Sequence, residues 1–233
     1  MKDMTKQRGK KYEEALKKLG ERQGYSLQEG VAKVKELAYA RFDESVTVDV
    51  RLGIDPSKGD QVVRGSVVLP HGTGKKPRVV VFAKGEYADQ AKAAGADFVG
   101  ADDLVEKIKS GWLGFEHSVA TPDMMGVVGK VAKILGPRGL LPNKKLGTVT
   151  FDVASVVSDL KSGMTFFRND RYGLVHSLCG KVSFSEADLA DNVKAFLKSL
   201  SAAKPPASKG KFIQKIVVTS TMGPGIRVDV GEI

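Results

Sequence analysis

The chain has 233 residues, of which 42% are hydrophobic and 27% charged, a composition that excludes a disordered or fibrous protein. Its formal net charge of +10 is spread along the chain without a basic tail, which favours a polyanionic partner whose binding site is assembled by folding. A single cysteine, no apolar run of about 18 residues and no secretory signal together predict a cytoplasmic protein without a membrane partner.

The first predicted elements are helices. A short helix is expected around Tyr12–Leu19. Ser26 and Glu29 form a capping-box pattern at the start of a second, amphipathic helix, which we expect to end near Arg41-Phe42.

Two strands are predicted next. Alternating apolar residues over 46–52 indicate a half-buried strand, and residues 61–69 are expected to return beside it. A break rich in Gly, Pro and Lys follows at 70–77.

The middle of the chain has a different pattern. An apolar run at 79–82 is typical of a strand that is covered on both faces. Helices and strands then alternate up to Ala120, and Thr121 is the expected cap of a further helix. This alternation predicts a small, mostly parallel sheet covered by helices.

The last third returns to the first pattern. We expect a helix capped by Asp152, then antiparallel strands at 164–168 and 174–184 around a turn at 169–173. A helix capped by Ser185 and strands at 213–219 and 226–230 complete the chain.

The predicted fold class is therefore α/β (α+β) with two domains. Residues 1–69 and 160–233 would form a discontinuous split α/β sandwich, with an antiparallel sheet built from both termini. Residues 70–159 would form an inserted, Rossmann-like three-layer α/β domain. A double chain crossing makes a natural hinge. The predicted hinge residues are Ser66, Pro70, Lys161 and Gly163.

The sequence offers no catalytic constellation. Cys179 and His176 are three positions apart, so on one strand they face opposite sides, and a buried structural cysteine is expected. The three histidines have no metal-ligand spacing, and residues 72–76 lack the spacing of a phosphate loop. We therefore expect neither an enzyme nor a cofactor.

Three segments are candidates for binding RNA. Residues 219–225 combine exposed hydroxyls with a flat methionine, Arg41-Phe42 offers an aromatic ring beside a cation, and residues 168–171 with His176 and Lys181 form a cationic hairpin. From the residues alone, the alternative for 219–225 is a plain hairpin turn. For the other two segments the residues alone favour the alternatives, a core phenylalanine at Phe42 and a solvated turn at 168–171.

Several motifs together resemble the L-one family of large-subunit ribosomal proteins. The most specific are ATPDMMG at 120–126, ILGPRGLLPN at 134–143 and GTV at 147–149. Further matches are RFDESV at 41–46, LPHG at 69–72, FRND at 167–170 and TMGP at 221–224.

This resemblance implies a two-domain protein that binds large-subunit ribosomal RNA and forms the mobile stalk near the tRNA exit site. It also implies help in releasing exit-site tRNA, repression of its own operon mRNA, and a monomer when free. Thr47 stands where many relatives have a glutamate, so a hydroxyl would make the contact there. The residues expected to bind RNA are Arg41, Phe42, Ser45, Thr47, Arg168, Asn169, Asp170, Arg171, His176, Lys181, Thr219, Thr221, Met222, Gly223 and Pro224.

Rival hypotheses are a nucleotide-binding α/β enzyme and a DNA-binding module. The enzyme would need a phosphate loop and, at the right distance along the chain, an acidic residue that binds metal or ribose; the sequence has neither. The DNA-binding module would need a helix-turn-helix or zinc-binding pattern, which the sequence lacks.

Overall fold

The structure, a computed structural model, describes residues 9–20, 24–229 and 231. The chain divides into two units: unit 1 is Met1–Val63 with Phe167–Ile233, and unit 2 is Arg64–Phe166. The predicted mixed α/β fold class, with antiparallel and parallel sheets, is confirmed.

The described residues contain nine strands and eight α-helices. The strands are β1 (Ser45–Leu52), β2 (Arg64–Val68), β3 (Val79–Phe82), β4 (Phe98–Gly100), β5 (His117–Ala120), β6 (Met164–Arg168), β7 (Leu174–Lys181), β8 (Ile213–Ser220) and β9 (Ile226–Val228). The helices are α1 (Lys10–Leu19), α2 (Leu27–Glu36), α3 (Glu86–Ala93), α4 (Asp102–Lys109), α5 (Met125–Val128), α6 (Ala132–Leu135), α7 (Val153–Ser162) and α8 (Glu186–Ala202).

Unit 1 is built on an antiparallel sheet in the order β7-β1-β8-β9. Val46, Val48 and Val50 of the central strand are fully buried, and the side chains between them lie on the other face. Helices α2 and α8 contact each other and the strands, so they cover the buried face. The opposite face, which we call the open face, carries the odd-numbered side chains of β1.

Unit 2 has three layers around the parallel sheet β4-β3-β5. Val80 and Phe82 pack into one apolar cluster with α4 and the short helices after β5. Val79 and Val81 pack into a second cluster with α3 and α7. All four side chains are fully buried, as expected for a strand covered on both faces.

Helix starts were predicted better than helix ends. The capping box of Ser26 and Glu29 is present, and Asp152 and Ser185 cap α7 and α8 with their side chains. However, α2 ends at Glu36 and not near Phe42, and Thr121 makes no side-chain cap. The helix expected after Thr121 is a series of short turns, consistent with the low helix propensity of Gly126 and Gly129.

Two predicted strand pairings are wrong. Strand β2 does not return beside β1, and β6 does not form a ladder with β7; instead β2 and β6 pair with each other. Asn169 explains part of this arrangement, because its backbone amide donates to the Val63 carbonyl and its side-chain oxygen accepts from the Val63 amide. These bonds join the residues just before β2 and just after β6. The predicted end of the last strand, Val230, lies outside the described residues.

The four predicted hinge residues lie within unit 2. Lys161 donates to the Asp97 carboxylate at 2.6 Å and to the Pro77 carbonyl at 3.1 Å. Gly163 has φ +113°, and a Cβ there would overlap the Gly72 backbone. A hinge at these positions stays a prediction.

Candidate nucleic-acid interface

The buried carboxylate of Glu44 joins two loops of unit 1. Glu44 is only 2% exposed, and it accepts hydrogen bonds from the amide of Ala40 at 2.8 Å and from the amide of Met222 at 3.0 Å. The Tyr39 hydroxyl adds a 2.8 Å bond to the Met222 carbonyl. We call residues 37–44 the Phe42 loop and residues 221–225 the Met222 loop. Glu44 and Tyr39 therefore fix these two loops side by side.

These bonds also explain the charge state of Glu44. Burial alone would raise the pKa of Glu44, but the hydrogen bonds from Met222, Ser220 and Ala40 outweigh it and hold the pKa below its ordinary value. Beyond the end of α2 at Glu36, the Ala40 amide donates to this carboxylate and not to a helical carbonyl.

Hydroxyl groups complete the junction between the Met222 loop and β1. The Ser45 amide donates to the Thr221 hydroxyl oxygen at 2.9 Å, and that hydroxyl donates back to the Ser45 carbonyl at 3.3 Å. Thr219 donates to carbonyls of its own loop, and Thr47 donates to the Thr219 carbonyl at 3.5 Å. These predicted contact residues thus already have partners within the protein.

Two large apolar side chains stay exposed on these fixed loops. Phe42 is 56% exposed and Met222 is 49% exposed, whereas the ring of Pro224 is buried. The alternative that Phe42 closes the core is therefore wrong. Exposed apolar side chains on loops that are held by internal hydrogen bonds are suited to contact with a partner.

A cation lies beside the Phe42 loop. The Lys181 ammonium donates to the Asp43 carbonyl at 3.3 Å and to the Ser45 hydroxyl at 2.9 Å. The Asp43 carboxylate accepts bonds from the amide and hydroxyl of Ser183, which fixes the loop against the end of β7. Arg41 is exposed on the same loop. The surface therefore combines apolar side chains with positive charge.

The middle of the open face carries an imidazole and carboxylates. His176 Nδ1 lies 2.6 Å from Asp49 Oδ1, and its Nε2 lies 3.9 Å from Asp170 Oδ2. Hydrogen bonds from the amides of Leu174 and Tyr172 lower the pKa of Asp170 despite its partial desolvation. His176 therefore links β1 to the turn at 169–173.

The predicted FRND segment lies at the other end of the sheet. The Leu52 amide, at the last residue of β1, donates to the Gly173 carbonyl, whereas Ser45 at the first residue bonds Thr221. The two ends of the eight-residue strand are about 23 Å apart at the usual strand rise. Arg168 and Arg171 are exposed, but Asn169 is 8% exposed and bonded to Val63. The structure thus separates this segment from the Phe42 and Met222 loops.

Sequence reasoning assigned no role to Glu44. The sequence does contain an indication of its burial. Glu44 is two positions before the buried Val46, and side chains at every second position lie on the same face of a strand. A carboxylate at such a position needs hydrogen-bond donors from elsewhere in the fold. The sequence does not show which donors these are.

The lone thiol is inert in this fold. Cys179 is buried, while His176 on the same strand is exposed, as the spacing predicted. Burial raises the pKa of the Cys179 thiol to about 12, so the thiolate is not formed near neutral pH. Within residues 9–20, 24–229 and 231, no group of His, Cys, Asp and Glu side chains is placed to hold a metal ion. In the same residues no helix is long and apolar enough to span a membrane.

Comparison with known proteins decides the family. The model of the ribosomal protein L1p/L10e family matches residues 34–224, a range that holds both the Phe42 loop and all but the last residue of the Met222 loop. The chain belongs to this family. Its members are structural ribosomal proteins, so this protein is a ribosomal protein and not an enzyme.

Two relatives are similar over nearly their whole length. The chain is 51% identical over 222 residues to the large ribosomal subunit protein uL1 of Desulfotalea psychrophila. The aligned residues cover 95% of this chain and 94% of that protein. The chain is 54% identical over 222 residues to the large ribosomal subunit protein uL1 of Desulfosudis oleivorans, covering 95% of each.

Proposed function

We propose that this ribosomal protein is a structural component of the large ribosomal subunit in the cytoplasm and binds large-subunit ribosomal RNA. The Phe42 loop, the Met222 loop and the adjoining open face form the binding surface. One observation carries the proposal: Phe42 and Met222 are exposed on two loops that the buried Glu44 holds together.

The chemistry of this surface suits structured RNA better than duplex DNA. The exposed side chains of Met222 and Phe42 can pack on riboses and unstacked bases, which structured RNA presents. Lys181 and Arg41 can neutralise phosphates, and the carbonyls of the Met222 loop can each accept a second hydrogen bond, from a 2′-hydroxyl. Because the loops are fixed before binding, little conformational entropy is lost on contact.

The sequence resemblance and the family membership support a more specific role in translation. The protein would form the mobile stalk beside the tRNA exit site, assist the release of deacylated exit-site tRNA, and repress its own operon mRNA through a mimic of the ribosomal site. The free protein would be a monomer. Both RNA partners would compete for the one surface, because a mimic uses the same contacts.

Two measurements test the proposal. In a filter-binding assay at moderate salt, the full chain should prefer a large-subunit ribosomal RNA fragment over duplex DNA of equal length. In sucrose-gradient sedimentation it should travel with the large subunit. Equal affinity for the two nucleic acids, or failure to sediment with the subunit, would contradict the proposal.

A further inference from the structure

A cleft of about 370 Å³ opens at the end of the unit 1 sheet that lies away from the Phe42 and Met222 loops. We call it the far-end cleft. Among the described residues that line it, three are cationic and one is acidic: Arg51, Lys209, Lys211 and Asp55. The Asp55 carboxylate already accepts from the Ser57 amide and pairs with Lys58. The cleft is therefore positively charged.

Two cations face each other at the edge of this cleft. Arg51 of β1 and Lys215 of β8 are opposite residues in the antiparallel register, and both are exposed. Like charges in directly opposite positions destabilise a sheet. In the part of the chain that the structure describes, neither side chain has a carboxylate within ion-pair distance. The open face thus keeps a repulsive pair that an anion would neutralise.

An exposed aromatic ring stands at the same cleft. Tyr172 lines it and is 73% exposed, and the guanidinium of Arg171 lies 6.0 Å from the ring centroid. The Tyr172 amide donates to the Asp170 carboxylate at 2.8 Å, which fixes the backbone of the residue that carries the ring. An exposed ring among cations is the arrangement on which unpaired bases stack.

We infer that the far-end cleft is a second RNA contact site, which binds unpaired nucleotides adjoining the structured segment held by the two loops. One base stacks on Tyr172 while phosphates lie against Lys209, against Lys211, and between Arg51 and Lys215. Stacking requires an unpaired base, so a continuous double helix does not satisfy the site. The inference rests on the proposed function, because the RNA is brought to the cleft by the loops.

The test compares two large-subunit RNA fragments that share the structured segment, one with unpaired flanking nucleotides and one without. Binding by the full chain is measured over a series of salt concentrations. The variants are Tyr172→Ala, Tyr172→Phe and the double variant Lys209→Ala/Lys211→Ala. The matched control, Lys194→Ala/Lys198→Ala, removes the same charge from exposed positions of α8 on the other side of the sheet.

With the flanked fragment, the Lys209/Lys211 variant should bind roughly tenfold more weakly. A plot of log affinity against log salt concentration should be less steep by about 1.4 for this variant. Each single-strand phosphate that a lysine neutralises contributes about 0.7 to that slope. Tyr172→Ala should weaken binding roughly tenfold with an unchanged slope, and Tyr172→Phe should bind like wild type, since its ring still stacks. The fragment without flanks should not distinguish these variants from the control.

Other outcomes overturn the inference. Equal weakening with both fragments would show that the cleft binds paired RNA, and no weakening beyond the control would show that it does not bind RNA. In either case wild type would still prefer ribosomal RNA, and the proposed function would stand. If wild type shows no such preference, the proposed function and the second site are both wrong. Thermal melts of each variant exclude unfolding as the cause.

Discussion

The carboxylate of Glu44 accepts a hydrogen bond from the amide of Met222 at 3.0 Å, although the two residues are 178 positions apart in the chain. This bond brings an N-terminal loop and a C-terminal loop into one surface. The carboxylate that makes it is buried, and the hydrogen bonds it accepts stabilise its charge.

Replacing Glu44 with glutamine should destabilise the protein by about 1–3 kcal/mol at neutral pH, because an amide is a weaker acceptor and leaves buried donors poorly satisfied. Folding lowers the pKa of Glu44, so the ionised carboxylate stabilises the folded state. This stabilisation is complete above the unfolded-state pKa and is lost as the pH falls through the folded-state pKa. Denaturant unfolding of both proteins across pH should show a difference that shrinks in acid. A constant difference would contradict this account.

Met222→Ala should weaken binding to the large-subunit RNA fragment by about 1–3 kcal/mol, as expected when one well-packed apolar side chain is removed from an interface. Stability should change little, because the side chain is 49% exposed. The control is Lys75→Ala/Lys76→Ala, which removes two exposed cations from unit 2. A comparable decrease in specific binding by the lysine variant would move the site away from the Met222 loop.

Asn169→Ala should lower the free energy of unfolding by about 1–3 kcal/mol. The substitution leaves the Val63 amide without its 2.8 Å side-chain acceptor at a buried position. Chemical denaturation measures this effect. RNA affinity is then measured well below the melting temperature, and weaker binding by the fully folded variant would show that Asn169 also contacts RNA, as the FRND motif predicts.

Gly163→Ala should destabilise unit 2 more than Gly139→Ala. Both glycines have positive φ, +113° and +71°, so each alanine carries a backbone strain of about 1–2 kcal/mol. Only at Gly163 would the added Cβ meet backbone, that of Gly72, while the space beside Gly139 is open. Thermal unfolding of the two variants gives the comparison. Equal effects would mean that the chain at Gly72 can move aside.

The candidate surface was predictable in part. The motifs at 41–46 and 221–224 led to the Phe42 and Met222 loops, and the structure leaves both side chains exposed. The FRND segment was predicted as part of the same site, but the structure places it at the other end of β1. Position along a strand depends on its register with partners, which a local motif does not specify.

The sequence alone determined most of the elements of this protein, the buried faces of β1 and β3, and the resemblance to its family. These follow from local periods, caps and motifs, which act over a few residues. Only the tertiary structure decided that β2 pairs with β6, that Arg51 opposes Lys215, and that Glu44 meets Met222. Each of these depends on contacts between distant parts of the chain, whose partners are selected by the packing of the whole unit.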